Sequence, residues 1–189
     1  RLFGVETTQV TADMRRLAKT VNFGVIYGMS GYGLEQATEL SREEAEKFIK
    51  SYFEQYPAVK SYMESVKEQA RAKGYVSTML GKRRYIDDMT SRNRNAREAA
   101  ERMAINMPVQ GGSADIIKVA MVNISAELKK KKLMSKLLLQ VHDELILEVP
   151  QAELNVIKEL VPRLMSEAIE LKVPLKADVK IGENWGQLE

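Results

Sequence analysis

The sequence has no cysteine and only one histidine, His142, among its 189 residues. It therefore forms no disulfide, zinc–thiolate site or thiol nucleophile, and this suits a reducing compartment. No apolar run approaches the roughly 18 residues needed to cross a bilayer, so no membrane partner is expected. There is no visible signal peptide and no initiator methionine, which predicts that these residues come from the interior of a longer protein.

Neither sign of charge dominates the composition. The 29 Lys and Arg residues exceed the 26 Asp and Glu residues by three, and the sequence pI is about 9.0. So small an excess does not indicate a nucleic-acid partner, although a local cluster of basic residues would. Hydrophobic residues make up 44% of the chain, enough for one packed core or for two lobes.

Glycine, proline and capping residues divide the chain into predicted helices. In SREEAEKFIKSYFEQYP, Ser41 and Glu44 have the spacing of a capping box, and Pro57 ends the apolar stripe. Pro108 and Gly111-Gly112 predict a break between two helices, and Pro162 predicts a kink or division in the last one. The predicted helices cover residues 11–27, 41–56, 58–73, 92–106, 113–128 and 151–170.

Two predicted hairpins and a strand complete the organisation. YVSTMLGKRRYI, residues 75–86, predicts a hairpin that turns near Gly81, and residues 137–149 predict a second hairpin. PLKADVKIG alternates apolar and polar residues over 175–181, which predicts a strand with one buried face. The predicted fold class is α+β, mainly helical with a small antiparallel sheet.

The second hairpin contains three polar residues between two apolar runs, in LLLQVHDELILEVP. A turn at His142, Asp143 and Glu144 would present two carboxylates on a rigid mount, as a Mg²⁺ site requires. Adjacent carboxylates repel each other, so a metal ion, Lys or Arg is expected beside them. The alternative is a solvated acidic turn without a ligand.

The first predicted helix contains RRLAKTVNFGVIYG, in which two cations precede two aromatic residues. These residues are four apart and therefore form one stripe along the helix: Arg15, Lys19, Phe23 and Tyr27. A nucleoside triphosphate has the same order, with phosphates at one end and sugar and base at the other. The alternative is an amphipathic core helix with solvated cations, although Gly24 and Gly28 favour close approach of a ligand or backbone.

The middle of the chain has a local excess of basic residues. Seven cations stand against four acidic residues from position 82 to position 102, and cations of this kind can contact a phosphate backbone. Asn106 and Gln110 follow with amides that can read a base edge. The alternatives are a solvated helix face, with pairs such as Glu98 and Arg102, and amides that only cap a loop. The seven cations are Lys82, Arg83, Arg84, Arg92, Arg94, Arg97 and Arg102.

Taken together, these segments resemble family A DNA polymerases over essentially the whole chain. RRLAKTVNFGVIYG is similar to the family's fingers-helix motif, and QVHDELILEV is similar to its palm hairpin with His-Asp-Glu. REAAERMAINMPVQGGSADIIKVAM resembles the segment that joins them. The resemblance implies a right-hand polymerase, with fingers over residues 1–75 and the C-terminal part of the palm over 76–189.

The resemblance also implies roles for single residues. Asp143 would serve a site with two Mg²⁺ ions, Glu144 would lie beside it, and His142 would lie near the primer terminus. Arg15 and Lys19 would hold the triphosphate of a dNTP. Phe23 would pack on its sugar and Tyr27 would stack at the insertion position, and phenylalanine at 23 implies that dideoxynucleotides are disfavoured. Primer-template DNA would contact Arg84, Arg102, Asn106, Gln110 and His142.

The implied reaction is attack of a primer 3′-hydroxyl on the α-phosphate of a dNTP, in a cytoplasmic, nucleoid-associated bacterial enzyme. The family has a second metal carboxylate in a D-Y-S-x-I-E segment, and this segment is not found in the chain. The upstream part of the same polymerase is therefore an expected partner. The isolated chain is expected to be inactive, with an open sheet edge that favours association.

Other functions remain open at this point. A single-subunit RNA polymerase would have a similar fingers helix, and a choice between dNTP and rNTP would identify it. A non-catalytic nucleic-acid-binding fragment would bind duplex in a salt-sensitive manner without metal. A phosphohydrolase that uses Asp143 and Glu144 has no further ligands at suitable spacing.

Overall fold

The structure is a computed structural model that describes residues 5–188. Its first helix, α1 (Ala12–Ile26), begins where the Thr11 side chain accepts a hydrogen bond from the Met14 N–H at 3.2 Å. It ends at Tyr27, and Gly28 follows with a φ of 76°, a conformation that favours glycine. The sequence prediction for this helix is confirmed.

A short helix, α2 (Gly31–Ala37), follows and was not predicted. Ser30 caps it by accepting a hydrogen bond from the Gly33 N–H at 3.2 Å. A glycine inside a helix costs about 1 kcal/mol, whereas burial of a leucine side chain contributes about 2 kcal/mol. Leu34 is fully buried against α1 and α3, so packing explains a helix that local propensity disfavours.

Helices α3 (Arg42–Gln55) and α4 (Pro57–Lys73) form where the sequence predicts them. The capping box is present, because Ser41 and Glu44 exchange hydrogen bonds between side chain and backbone. Pro57 begins α4 at a position where no backbone donor is needed. The core of this part of the chain is built from Val21, Val25, Leu34 and Ala45, with aromatic residues of α3 packed against it.

Strands β1 (Tyr75–Ser77) and β2 (Arg83–Tyr85) pair in antiparallel fashion and confirm the first hairpin. Gly81 lies in the turn with a φ of 82°. Val76 is fully buried and anchors the hairpin to a core shared with α4 and α5. The members of this core are Val66, Ala70, Val76, Ile86, Met89, Ala100 and Ala104.

Helix α5 (Arg94–Lys130) is continuous over 37 residues, so the predicted break at Pro108 and Gly111-Gly112 is wrong. Buried residues on both sides of Pro108, such as Ile105 and Ile117, keep both flanking segments helical. That packing offsets the roughly 3 kcal/mol that an internal proline costs. The break signal instead coincides with the boundary between two compact units, which lies after Val109.

Within residues 5–188, no helix combines the length and apolar character needed to cross a bilayer.

The second unit contains the hairpin of β3 (Lys136–Val141) and β4 (Glu144–Glu148). Leu137 pairs with Leu147 and Val141 pairs with Glu144, with an irregularity at Leu138. The predicted hairpin is confirmed, but its turn contains only His142 and Asp143. One face packs on a core formed by α5 and α6, whose members include Ile124, Leu128, Leu145, Leu147, Ile157 and Val161.

The hairpin is less buried than its apolar composition predicts. Leu138 and Leu139 are 52% and 48% exposed. Leu139 pairs with Ile146 on the face that points away from the α5–α6 core, since Leu145 and Leu147 occupy the other face. Among the described residues, nothing pairs with either outer edge of this two-stranded sheet.

Helix α6 (Leu154–Ser166) ends four residues earlier than predicted, and Pro162 lies inside it without dividing it. The predicted strand over 175–181 is wrong for the described structure, which assigns no strand there. Leu175 and Ala177 are half-buried, whereas Val179 and Ile181 are exposed. A strand requires a partner for its backbone groups, and no described strand is placed to provide one.

Glu153 joins two connections in the second unit. Its carboxylate accepts hydrogen bonds from the N–H of Met134 at 2.8 Å, the N–H of Ser135 at 2.9 Å and the Ser135 hydroxyl at 2.5 Å. The hydrogen bond from Met134, followed by those from Ser135, lowers the pKa of the Glu153 carboxyl below its ordinary value of 4.5. These hydrogen bonds link the loop that precedes β3 to the segment that precedes α6.

We expect Glu153→Gln to lower the thermal midpoint of the chain by a few degrees at pH 7. A folded-state pKa below the unfolded one stabilises the fold above the unfolded pKa, and this contribution disappears as pH falls through the folded pKa. The difference between wild type and variant should therefore shrink below pH 4.5. Thermal melts monitored by circular dichroism at pH 7 and pH 3 would measure this difference. Glu159→Gln, an exposed site on α6, is the control; an equal loss there would contradict the prediction.

Candidate functional site

The predicted stripe is present along one side of α1, where its first three members are exposed and Tyr27, at the end of the helix, is half-buried. Arg15 and Lys19 are exposed, and neither forms an ion pair within residues 5–188. The neighbouring Arg16 instead pairs with Asp13 at 3.0 Å. Phe23 and Tyr27 lie one turn apart with ring centroids 6.1 Å apart and planes 15° apart. Two cations without protein partners therefore precede two nearly parallel rings.

The opposite side of α1 anchors this stripe. Val21, Gly24 and Val25 are buried, so the helix has a fixed rotation about its axis. A Cβ at Gly24 would lie 3.1 Å from the Met29 sulfur, which means that Gly24 permits close packing within the protein. The group that approaches Gly24 closely is therefore the Met29 side chain, whereas the sequence predicted a ligand or another backbone segment.

The C-terminal end of α1 lies against α5. A Cβ on Gly28 would be 3.2 Å from Ile105 Cδ1 and 3.5 Å from Arg102 Cγ. Tyr27, which precedes Gly28, is therefore close to the segment in which the sequence predicts contacts with nucleic acid. Gly28 also has a positive φ, so a side chain there would meet both backbone strain and a packed neighbour.

Arg102 and Asn106 lie one helical turn apart on α5, within the first unit. Arg102 is exposed and forms no ion pair in the part of the chain that the structure describes. The Asn106 Oδ1 atom is buried and lacks a hydrogen-bond partner there. An unsatisfied buried acceptor costs about 1–3 kcal/mol, which a ligand donor would recover. Gln110 is exposed and belongs to the second compact unit.

The other basic residues of the middle segment are partly engaged. Arg94 donates to Glu98 at 2.6 Å, and this hydrogen bond lowers the pKa of the Glu98 carboxyl. The suggested pair of Glu98 with Arg102 is therefore replaced by a pair with Arg94. Arg97 donates to the Ser91 carbonyl at 2.9 Å. Arg84, on β2, is exposed and has no ion pair among the described residues.

The predicted acidic turn lies at the surface of the second unit. His142, Asp143 and Glu144 are all exposed. His142 has a φ of 55°, and its carbonyl accepts a hydrogen bond from Gln140 Nε2 at 2.9 Å. Asp143 completes the turn and Glu144 begins β4, so both carboxylates stand at one end of the hairpin.

The expected cation beside these carboxylates is not a side chain of the described residues. Neither Asp143 nor Glu144 forms an ion pair with a Lys or Arg in residues 5–188. The same residues contain no group of three His, Asp or Glu side chains that could hold a metal ion by themselves. Two oxygen-donor side chains still suit Mg²⁺, which commonly binds through one or two carboxylates, substrate phosphates and water.

One buried polar residue was not anticipated from the sequence. Asp115 on α5 is only 1% exposed, although it carries a carboxylate. Asp115 lies three residues after Gly112, and residues with this spacing share one side of a helix. Because Gly112 is buried, this spacing could have predicted that Asp115 is buried as well. We assign it no function.

Comparisons with known proteins agree with these features. Residues 1–187 match the family model described as DNA polymerase family A. The chain is 54% identical to DNA polymerase I of Bacillus caldotenax over 184 residues and 53% identical to that of Lactococcus lactis subsp. lactis over 186 residues. These alignments cover 97% and 98% of the chain and 21% of each relative.

A solved structure matches the fold as a whole. The POL domain of Pol1 from M. smegmatis, in complex with DNA primer-template and dNTP, is 45% identical to the chain with a TM-score of 0.94. The match covers 100% of this chain and 33% of that one.

The chain belongs to DNA polymerase family A, which confirms the resemblance and the α+β fold class. It spans about a fifth of the length of the curated relatives that it matches. The match is to the DNA polymerases rather than to the single-subunit RNA polymerases that the fingers-helix motif alone left open.

Proposed function

We propose that the chain supplies the fingers and the C-terminal part of the palm to a template-directed DNA polymerase. Residues 1–75 would be the fingers and residues 76–189 the palm part. The observation that carries this proposal is the α1 stripe, where two cations without an ion pair among the described residues precede two nearly parallel rings. Gly28, which follows the second ring in the chain, packs against Ile105 and Arg102. The polymerase domain that resembles the chain was solved with primer-template and dNTP, and this supports the same ligands here.

The dNTP would lie along α1. Arg15 to Tyr27 is 12 residues, or about 18 Å of helix, and a nucleoside triphosphate can extend over much of that length. Arg15 and Lys19 would bind the phosphates, and Lys19 would offset charge on the departing pyrophosphate. Phe23 would pack on the sugar, and Tyr27 would stack at the insertion position. Phenylalanine at position 23 would disfavour dideoxynucleotides.

Primer-template DNA would contact the exposed basic and amide side chains. Arg84 and Arg102 would bind phosphates, because both are exposed and have no protein ion pair among the described residues. The unsatisfied Asn106 amide oxygen would accept a hydrogen bond from a base edge. Gln110 would also contact primer-template DNA. His142 would lie near the primer terminus.

Asp143 would be the metal ligand of this chain, and Glu144 would support it. Family A polymerases generally use divalent metal ions, and the open, oxygen-only turn suits Mg²⁺. When bound, two Mg²⁺ ions would stabilise the attacking and leaving oxygens of nucleotidyl transfer. Asp143 lies in a two-residue turn that directly joins the paired strands β3 and β4, which limits its movement.

The remaining part of the polymerase is the proposed partner, because the chain corresponds to 21% of its relatives. A cytoplasmic, nucleoid-associated location follows from this proposal.

The second candidate is a non-catalytic nucleic-acid-binding module. It is favoured by the absence, among residues 5–188, of three acidic or histidine side chains grouped to hold a metal.

Primer extension distinguishes the two candidates. We expect no extension by the 189-residue chain alone, because the hairpin provides at most two ligands. We expect extension by a chimera in which these residues replace the matching fifth of the Bacillus caldotenax polymerase. A folded chimera that binds primer-template but cannot extend it would favour the non-catalytic module. Extension by the isolated chain would instead mean that another carboxylate, such as Asp87 or Asp88, completes the site.

A further inference from the structure

The end of α1 is closed by a Schellman motif whose last residue is Met29. The Gly28 N–H donates to the Val25 carbonyl at 3.0 Å, and the Met29 N–H donates to the Gly24 carbonyl at 2.8 Å. A side-chain contact between the last residue of this motif and the residue whose carbonyl it binds is frequent. Because residue 24 is a glycine, the Met29 side chain can lie directly on α1.

The Met29 side chain occupies space that two glycines leave open. A Cβ on Gly24 would lie 3.1 Å from the Met29 sulfur, and a Cβ on Gly33 would lie 2.7 Å from Met29 Cγ. Gly24 belongs to α1 and Gly33 belongs to α2, so this one side chain lies between the two helices. It also packs against the apolar core that contains Leu34. The packing of α1 against α2 therefore depends on an apolar group at position 29.

The same methionine can be reached from solvent. Met29 is half-buried, and together with Ile49 and Phe53 it lines an open cavity of about 550 Å³. By contrast, Met63 and Met89 are only 7% and 3% exposed. Peroxides oxidise methionine to a sulfoxide that dedicated reductases convert back, and the chain has no cysteine thiol to compete for the oxidant. A small peroxide therefore has access to Met29 in the folded protein.

We propose that Met29 is a site of reversible oxidation that controls the packing of α1 against α2. The thioether sulfur attacks one oxygen of hydrogen peroxide, the O–O bond breaks, and the proton of the transferred oxygen passes to the departing oxygen, which leaves as water. The sulfur loses two electrons and the peroxide gains two, so no further reactant is needed. The sulfoxide then places a polar oxygen among apolar side chains, which disfavours the packed arrangement.

Oxidation at this position would act on the α1 stripe from the opposite side of the helix. Gly24 is buried on that side, and its contact with Met29 helps to fix the rotation of α1. Loosened packing would lower the affinity for a dNTP bound along Arg15, Lys19, Phe23 and Tyr27. Only this consequence rests on the proposed function, because the oxidation and the change in packing involve no dNTP.

The test treats the whole chain with increasing hydrogen peroxide, locates sulfoxides by peptide mass spectrometry and measures amide hydrogen exchange over α1 and α2. We expect Met29 to be oxidised before Met63 and Met89, and its oxidation to raise the exchange rate about tenfold. Methionine sulfoxide reductases should reverse this rise. Met29→Leu should abolish it, because leucine is apolar, similar in size and not oxidised. Met14→Leu, also half-buried on α1, is the matched control and should keep the wild-type response.

The outcomes separate this proposal from general oxidative damage. Unchanged exchange in protein with a fully oxidised Met29 would overturn it, as would oxidation of Met29 no faster than that of Met89. An equal rise in oxidised Met29→Leu, verified by circular dichroism to be folded, would assign the effect to other methionines. Reversal by the reductases tests the same point on the wild-type chain and needs no variant to fold. Since no dNTP is present, failure of the proposed function would leave these expectations unchanged.

Discussion

Asp143→Ala in the chimeric polymerase is expected to reduce the rate of primer extension by about a thousandfold or more. The substitution removes the one carboxylate that the hairpin turn holds at its tip, and with it the proposed metal ligand. Stabilisation of the attacking and leaving oxygens contributes several kcal/mol, and each 1.36 kcal/mol corresponds to a factor of ten in rate. Single-turnover extension at saturating dNTP would measure the loss.

The variant should still fold and bind primer-template, because Asp143 is exposed and forms no described ion pair. Binding of Mn²⁺, followed by electron paramagnetic resonance, should weaken in parallel with the rate. Asp178→Asn, in the same compact unit and paired with Lys176 at 3.0 Å, is the matched control and should extend normally. A rate within tenfold of wild type for Asp143→Ala would rule out the proposed role.

Lys19→Ala is expected to reduce catalytic efficiency with dNTP by about a hundredfold or more. Loss of a single preorganised group that stabilises developing charge typically costs 10²–10³ in rate, about 2.7–4 kcal/mol. Lys19 is exposed and has no partner in the described ion pairs, so its charge is available to a ligand. Pre-steady-state kinetics should show a lower maximal rate together with weaker dNTP binding.

Arg16→Ala provides the comparison on the same helix. Arg16 is also cationic and exposed, but it lies off the stripe and pairs with Asp13. Its removal should change efficiency less than threefold, since an exposed ion pair contributes little. Lys19→Arg should retain more activity than Lys19→Ala because it keeps the positive charge. Equal effects of Arg16→Ala and Lys19→Ala would assign the loss to the general charge of α1.

Local signals were sufficient to predict much of the fold. Thr11, Ser41 and Gly28 mark helix ends through hydrogen bonds or backbone conformations that involve only nearby residues. The i, i+4 spacing of the α1 stripe is equally local, since any regular helix places those side chains on one side. The hairpin around Asp143 follows from its apolar runs and central polar residues.

Features that depend on distant packing could not be predicted. Helix α2 is held by burial of Leu34 between other helices, and α5 continues through Pro108 with buried residues on both sides of it in the sequence. The alternation over 175–181 is a strand pattern without a described strand to pair with. In the site, the contact of Gly28 with Arg102 joins residues 74 positions apart, which no local pattern reveals.

The left-handed backbone at His142 affects how substitutions at that position should be interpreted. A branched residue such as valine or isoleucine resists a φ of 55°, so it would disturb the turn as well as remove the imidazole. Glycine accepts this conformation freely, and asparagine tolerates it better than most residues. In a saturation library, tolerance of glycine and asparagine would therefore reveal a requirement for turn geometry alone. Rejection of both would identify a requirement for the imidazole.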